Sequence, residues 1–260
     1  MNPEPELQRS ARLALACLDL TSLNDADTEA DVVELCARAH GPHGAAAAVC
    51  VWPRFAALAR RELPAGIAVA AVANFPDGSA DIDRALRDTR AIVDAGAQEV
   101  DVVLPIARLQ QGDARVVAEL LQAVRAACPG LLLKVILETG VLVDDALIAR
   151  AAQLSLDAGA DFLKTSTGKT PVSATPQAAR VMLACIAADP RAAGCVGFKA
   201  SGGIRTVAEA AHYLGLCEQA LGREALRPAR FRLGASSLLN DIEAVLGGSS
   251  ASPPSAPASY

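Results

Sequence analysis

A repeat of form, not of letters, does most to limit what this chain can fold into. Short apolar runs recur about every 30 residues, and each is followed by a stretch of helical periodicity. The runs occupy 46–51, 67–73, 99–104, 131–137, 160–163, 195–199 and 231–233, and 13–20 reads equally as helix or strand. Brief apolar runs bounded by turn signals fit strands buried on both faces, and strands alternating with helices imply a parallel sheet. The phrases AGAQEVDVV and AGADFLKTS share one joint, a helix stop leading into a strand. With 15–20 included there are eight strands in 260 residues, the usual size of a closed (β/α)8 barrel. The competing architecture is an open doubly wound sheet. Its G-x-G-x-x-G fingerprint after the first strand is absent, so the barrel is preferred.

Helix starts support the same alternation. Thr28, Ser79, Asp144, Thr175 before Pro176, and Thr206 all read as N-caps, and Pro53 suits a first helical turn. The barrel is expected as one domain over 1–246. The remaining 247–260, GGSSASPPSAPASY, reads from composition as a flexible tail.

Composition narrows the function classes. The net charge is −5 and aromatic residues are 3% of the chain, which argues against a nucleic-acid surface. No apolar run reaches membrane-spanning length, and the acidic start MNPEPELQRS is unlike a signal peptide. The seven cysteines include no C-x-x-C pair and fit reduced thiols in a cytoplasmic protein. His40, His43 and His212 show no metal-ligand spacing, so no metal site is expected.

Barrels present their chemistry at the C-terminal ends of the strands. The charged residues read there are Asp19, Asp101, Lys134, Glu138, Lys164 and Lys199. Alternation puts Glu99 with Asp101 on one face, and Lys134 with Glu138 on one face. Charges in apolar strands point most simply into the barrel mouth, so the six should converge. A structural ion-pair plug and a catalytic constellation both remain open. A lysine attacks a carbonyl only as the free amine, and at pH 7 roughly one ordinary lysine in a few thousand is neutral. Lys134 and Lys199 lie on the strands flanking that of Lys164, and a neighbouring cation with desolvation lowers an amine's pKa. Lys164 is therefore expected as a Schiff-base nucleophile, with Asp101 moving protons and a carboxylate keeping Lys199 charged.

A second cluster suits an anion. The loops Thr167-Gly168-Lys169, Ser201-Gly202-Gly203 and Gly234-Ala235-Ser236-Ser237 fall at the same barrel end, and the last two are read as running into helix N-termini. A Schiff-base lysine beside such loops points to an aldolase acting on a phosphorylated sugar or aldehyde.

These motifs resemble the 2-deoxyribose-5-phosphate aldolases. The matching stretches are LDLTSLN (18–24), CVWPRF (50–55), VANFPDG (72–78), EVDVVLP (99–105), LLKVILETG (132–140), DFLKTSTGK (161–169), VGFKASGGIRT (196–206) and RLGASSLL (232–239), which together span nearly the whole chain. The resemblance implies a (β/α)8 barrel without metal or organic cofactor. It implies reversible cleavage of 2-deoxy-D-ribose 5-phosphate to acetaldehyde and D-glyceraldehyde 3-phosphate. Its partners would be the small-molecule substrate and, as is common for such barrels, further copies of itself, with a dimer favoured. By motif, Lys164 would form the Schiff base, Lys199 would lower its pKa and join proton transfer, and Asp101 would be the acid/base carboxylate. Thr167, Gly168, Lys169, Gly202, Gly203, Gly234, Ser236 and Ser237 would frame the phosphate. Asp19 and Thr21 would lie near substrate hydroxyls, and Cys50 near the site without a required role. Tyr260 would fold in from the tail and assist protonation of the enamine carbon. One departure is visible: Ala200 and Ser201 stand where the family usually has proline and alanine, which should loosen the phosphate loop while Ser201 offers a hydrogen bond. Alternatives are another Schiff-base aldolase or transaldolase, and a non-catalytic phosphosugar-binding barrel.

Overall fold

The computed structural model describes residues 5–248, so Tyr260 and its expected role lie outside the described residues. Eight parallel strands close into a barrel in chain order. They are β1 (Leu18–Thr21), β2 (Ala48–Val51), β3 (Ala68–Ala73), β4 (Glu99–Val103), β5 (Leu132–Ile136), β6 (Phe162–Lys164), β7 (Gly197–Ser201) and β8 (Phe231–Ala235). Each pairs in parallel with its neighbours, and β1 closes on β8 with Asp19 opposite Gly234. The barrel reading holds.

The ambiguous stretch 13–20 divides between two elements. Helix α1 (Glu6–Ala16) runs through Leu15, and β1 begins only at Leu18. The reason is visible in the spacing: Ala11, Ala14 and Leu15 lie on one helical face and are buried where α1 packs on the two last helices. The polar start therefore carries a helix.

The other helices are α2 (Glu29–Arg38), α3 (Ala56–Glu62), α4 (Ile82–Asp94), α5 (Ile106–Gln110), α6 (Ala114–Ala127), α7 (Thr139–Leu142), α8 (Asp145–Asp157), α9 (Pro176–Ala188), α10 (Val207–Leu221) and α11 (Leu238–Leu246). Thr28, Asp144, Thr175 and Thr206 cap as their chemistry predicts, each accepting from a backbone N–H of the first turn. Ser79 does not. Asp81 caps α4 instead, while the Ser79 hydroxyl donates to the Asn74 side chain at 3.0 Å. Asn74 sits at φ 53° and uses its amide to hold the carbonyls of Ser79 and Val103, so Ser79 belongs to that turn.

The strands bury both faces. Val100, Val102, Leu133, Val135, Leu163, Phe198 and Leu233 pack outward under the helices and are fully buried. The inward positions are unequal. On β2 and β3 they include the small Ala48, Cys50, Ala68 and Ala70, whereas each of β4 to β8 places at least one charged side chain inward. The small side leaves the width that lysine and arginine chains need to cross the barrel.

Candidate active site

Strand alternation aims Asp19 (β1), Glu99 and Asp101 (β4), Lys134 (β5), Lys164 (β6), Lys199 (β7) and Arg232 (β8) into the barrel, and all are buried. Six of them form a closed cycle of alternating charge. Lys134 Nζ donates to Asp101 Oδ1 at 2.7 Å and to Glu99 Oε2 at 2.5 Å. Arg232 bridges Glu99 Oε1 at 2.7 Å and Asp19 Oδ1 at 2.5 Å. Lys199 Nζ closes the cycle between Asp19 Oδ2 at 2.5 Å and Asp101 Oδ2 at 2.8 Å. Three carboxylates thus balance three cations.

Lys164 is the seventh group and the cation in excess. Among the described residues its Nζ reaches only Asp101 Oδ2, at 2.8 Å, an oxygen that Lys199 already shares. Lys199 lies directly beside it in the β6–β7 register. Burial lowers the Lys164 pKa first; Asp101 opposes this, Lys199 adds to it, and the amine ends below the ordinary lysine range. Lys199 goes the other way. Burial also disfavours its charge, but Asp101 and Asp19 outweigh burial and hold it above the lysine range. Asp101 is buried too, which alone would raise its pKa, yet Lys134, Lys164 and Lys199 keep it well below the carboxylate range. One barrel therefore holds a lysine inclined to be neutral 2.8 Å from a carboxylate held ionised, with a lysine held charged alongside.

Asp19 joins the lysines as expected, fully buried, with its two oxygens taken by Lys199 and Arg232. One expected residue falls elsewhere. Glu138 does not join the lysines. Strand alternation stops at Ile136, and Glu138 adopts φ 54°, which turns its side chain toward the loop after β6. There it accepts from Thr167 N–H at 3.3 Å and Thr170 Oγ1 at 3.3 Å, as well as from the Thr167 hydroxyl, and burial raises its pKa. Arg232 escaped the sequence reading, which also left Glu99 unused. Its signal was its place two residues before Gly234 on an inward register.

The glycine loops line one cleft of about 170 Å³ at the C-terminal mouth, with Thr21, Ser22, Asn24, Thr167, Gly168, Lys169, Ser201, Gly202, Gly203, Arg205, Gly234, Ser236 and Ser237 in its walls. All three loops meet there, as expected. Two glycines are required by space. A Cβ on Gly234 would lie 2.5 Å from Ser201 Oγ and 3.0 Å from Lys199 Cε. Gly202, at φ +82°, would put a Cβ 2.5 Å from Ser173 Oγ and 3.2 Å from Gly168 Cα.

The two helix N-termini beyond these loops differ. That of α10 is already filled: Glu209 takes the N–H groups of Arg205 and Thr206, and Asp241 takes that of Val207 at 2.7 Å. That of α11 has Ser237 as N-cap and no side-chain cap hydrogen bond. Its first-turn N–H groups and dipole are the ones available to an anion. Lys169 and Arg205 bring positive charge to the same cleft. The segment with Ala200 and Ser201 is regular strand. Both residues continue β7, and Thr165 Oγ1 grips Ser201 through its N–H at 3.0 Å and its carbonyl at 3.2 Å. Cys50 is buried with its Sγ 4.0 Å from Asp101 Oδ2.

Residues 13–243 match the sequence model of the DeoC/LacD family aldolases. Among solved structures, the fold is similar to a protein from Coccidioides immitis provisionally named as a deoxyribose-phosphate aldolase, at 30% identity over 93% of this chain and 88% of that one, with a TM-score of 0.77. A Toxoplasma gondii protein, provisionally named in the same way, matches at 26% identity over 95% and 99% of the two chains with a TM-score of 0.86. The tetrameric deoxyribose phosphate aldolase of Aeropyrum pernix matches at 27% identity over 92% and 97%, with a TM-score of 0.71.

Proposed function

This chain belongs to the DeoC/LacD family of aldolases, and within it we propose a Schiff-base aldolase that cleaves 2-deoxy-D-ribose 5-phosphate to acetaldehyde and D-glyceraldehyde 3-phosphate. The observation that carries the reading is the charge count. The cycle of six is neutral by itself, so among the described residues Lys164 has no carboxylate of its own and is the amine most easily held unprotonated.

Neutral Lys164 attacks C1 of the open-chain aldehyde. Loss of water from the carbinolamine leaves an iminium, which withdraws electrons from C2. The C2–C3 bond then breaks, its electron pair forming the neutral enamine, while the C3 hydroxyl gives up its proton and becomes the aldehyde of glyceraldehyde 3-phosphate. Protonation at C2 restores the iminium, and water releases acetaldehyde and the free amine. Asp101, 2.8 Å from Lys164 Nζ, and Lys199 are placed to relay these protons. Because the iminium is the electron sink, the sequence of steps needs no metal or organic cofactor. The phosphate would sit in the cleft over the α11 N-terminus, with Lys169 and Arg205 at its edge.

Borohydride reduction in the presence of acetaldehyde should attach the reduced two-carbon adduct to the Lys164 peptide, read by mass spectrometry. An adduct elsewhere, or none with turnover intact, refutes the assignment. A product assay across phosphorylated and plain aldehydes separates this reaction from other Schiff-base aldolases or transaldolases. Tyr260 enters the proposal as the aid to enamine protonation: its deletion should slow turnover and leave trapping on Lys164 intact.

A further inference from the structure

We infer that Arg232 and Glu99, which touch neither the lysine nucleophile nor the substrate cleft, are positioning residues that set the protonation of Lys164 through the cycle of ion pairs. The inference rests on Lys164 being the nucleophile proposed above. Its basis is connectivity. Around the cycle, Arg232 stands opposite Asp101, reached by Asp19–Lys199 on one side and Glu99–Lys134 on the other. Every carboxylate oxygen in the cycle is held by a cation, so no member can lose its charge without leaving two buried partners each one ion pair short.

Arg232 is built in as a fixture. Its Nε donates to Pro228 O at 2.5 Å, and its guanidinium lies 5.7 Å from the centre of the Phe162 ring on β6, two residues before Lys164. Gly197 keeps that floor open, because a Cβ there would stand 2.3 Å from the Phe162 ring. Guanidinium does not lose its proton at any ordinary pH. An immobile charge at the far side of the cycle therefore holds Asp19 and Glu99 ionised, and these in turn leave Lys199 and Lys134 charged. Lys164 is then the only member of the group free to give up a proton.

The groups bearing on Lys164 are Asp101 from β4, Lys199 from β7, Cys50 from β2 and Glu138 after β5. Those bearing on Arg232 are Asp19 from β1, Glu99 from β4 and the Cys17 thiol. Removing the arginine's charge leaves the cycle with one negative charge in excess, which favours protonated Lys164. Removing the charge of Glu99 leaves one positive charge in excess and disfavours it. The two neutral variants should therefore move Lys164 in opposite directions, which a role in folding alone would not produce.

The test is the pH profile of kcat/KM for 2-deoxy-D-ribose 5-phosphate, with borohydride–acetaldehyde trapping at Lys164 measured across the same pH range. At an effective dielectric near 20, one uncompensated charge two ion pairs away is worth roughly one pH unit. Arg232→Gln should move the acid limb up by about that amount and cost roughly tenfold at pH below the limb, with activity recovered above it. Glu99→Gln should move the limb down, and Arg232→Lys should keep it near the wild-type position. Superimposed wild-type, Arg232→Gln and Glu99→Gln profiles, with wild-type trapping at Lys164, overturn the inference alone. No wild-type adduct at Lys164 overturns the Schiff-base reading and the inference with it. If Arg232→Gln does not fold, the near-isosteric Glu99→Gln decides by itself: a limb that stays or rises refutes the inference.

Discussion

Lys164 and Lys199 are one strand apart, buried alike, and bound to the same carboxylate oxygen. What separates them is the second partner: Lys199 also has Asp19, and Lys164 has no second carboxylate among the described residues. Lys199→Leu should therefore do two things. It removes a proton donor from beside Lys164, lowering turnover about 100-fold or more. It also withdraws a positive charge, so the acid limb of kcat/KM moves to higher pH, because a lysine whose pKa rises stays protonated over a wider range. A profile unchanged in shape would take Lys199 out of the proton chemistry. Lys164, Lys199 and Asp101 were legible because alternation in short apolar strands fixes direction with little ambiguity. Arg232 follows the same rule but was hidden by its setting. Between Phe231 and Leu233 it reads as a polar break in a short strand, and only the register with β7 and β1 shows its place in the barrel. Glu138 failed for the opposite reason. A left-handed backbone at φ 54° cancels the alternation on which its direction was inferred.

At the scale of elements, the loop after β6 joins Lys164 to the cleft, and it is held from both sides. Glu138 ties Thr167 and Thr170 to the end of β5, and Thr139 N–H bonds Thr165 O at 2.9 Å. On the other side Ser173 packs against Gly202. Gly140 in α7 is the tightest point, since a Cβ there would sit 1.9 Å from Val172 O, a backbone atom that cannot swing aside. Gly140→Ala should displace the loop and with it Lys169. The predicted result is a stability loss of about 1–3 kcal/mol and a KM for the phosphorylated sugar raised more than kcat is lowered. Equal loss of kcat without change in KM would show that the loop does not position the phosphate. A complementary change, Lys169→Gln, should raise KM about tenfold for the phosphorylated sugar, from the loss of a charge-assisted contact, and affect the unphosphorylated sugar little. Steady-state kinetics on the two sugars checks this. The βα alternation and four of the caps were open to reading because both rest on local chemistry. The occupied α10 N-terminus was not, since Asp241 reaches it from α11, 34 positions along the chain.

For the whole molecule, the cycle joins five strands, from β1 around through β8, β7, β5 and β4, so the charges that tune the site are also a brace across the barrel. Its pH dependence has a definite sign. Asp19 is buried, but Lys199, Arg232 and Lys134 hold its folded-state pKa below the unfolded value. Its contribution is therefore complete above the unfolded carboxylate pKa near ~3.9 and is lost progressively as pH falls below it. Lys134 and Lys199 have folded values above the unfolded one. Their contribution is complete below about pH 10 and is lost as pH rises through the folded values. Both sets are fully present at neutral pH, so the brace should fail first in acid. Asp19→Asn removes one member and leaves Arg232 and Lys199 each short of a partner, a loss of roughly 3–5 kcal/mol at pH 7 for a buried pair broken on one side. The wild type gives up the same stabilisation as its own Asp19 is protonated on unfolding. The gap between wild type and variant should then narrow by about 1.4 kcal/mol for each pH unit below the unfolded value. Urea unfolding of both proteins at pH 7, 4 and 3 measures it. A gap that stays constant to pH 3 would mean that Asp19 does not hold its charge in the folded barrel, and the closed cycle could not then be what sets Lys164 apart from Lys199.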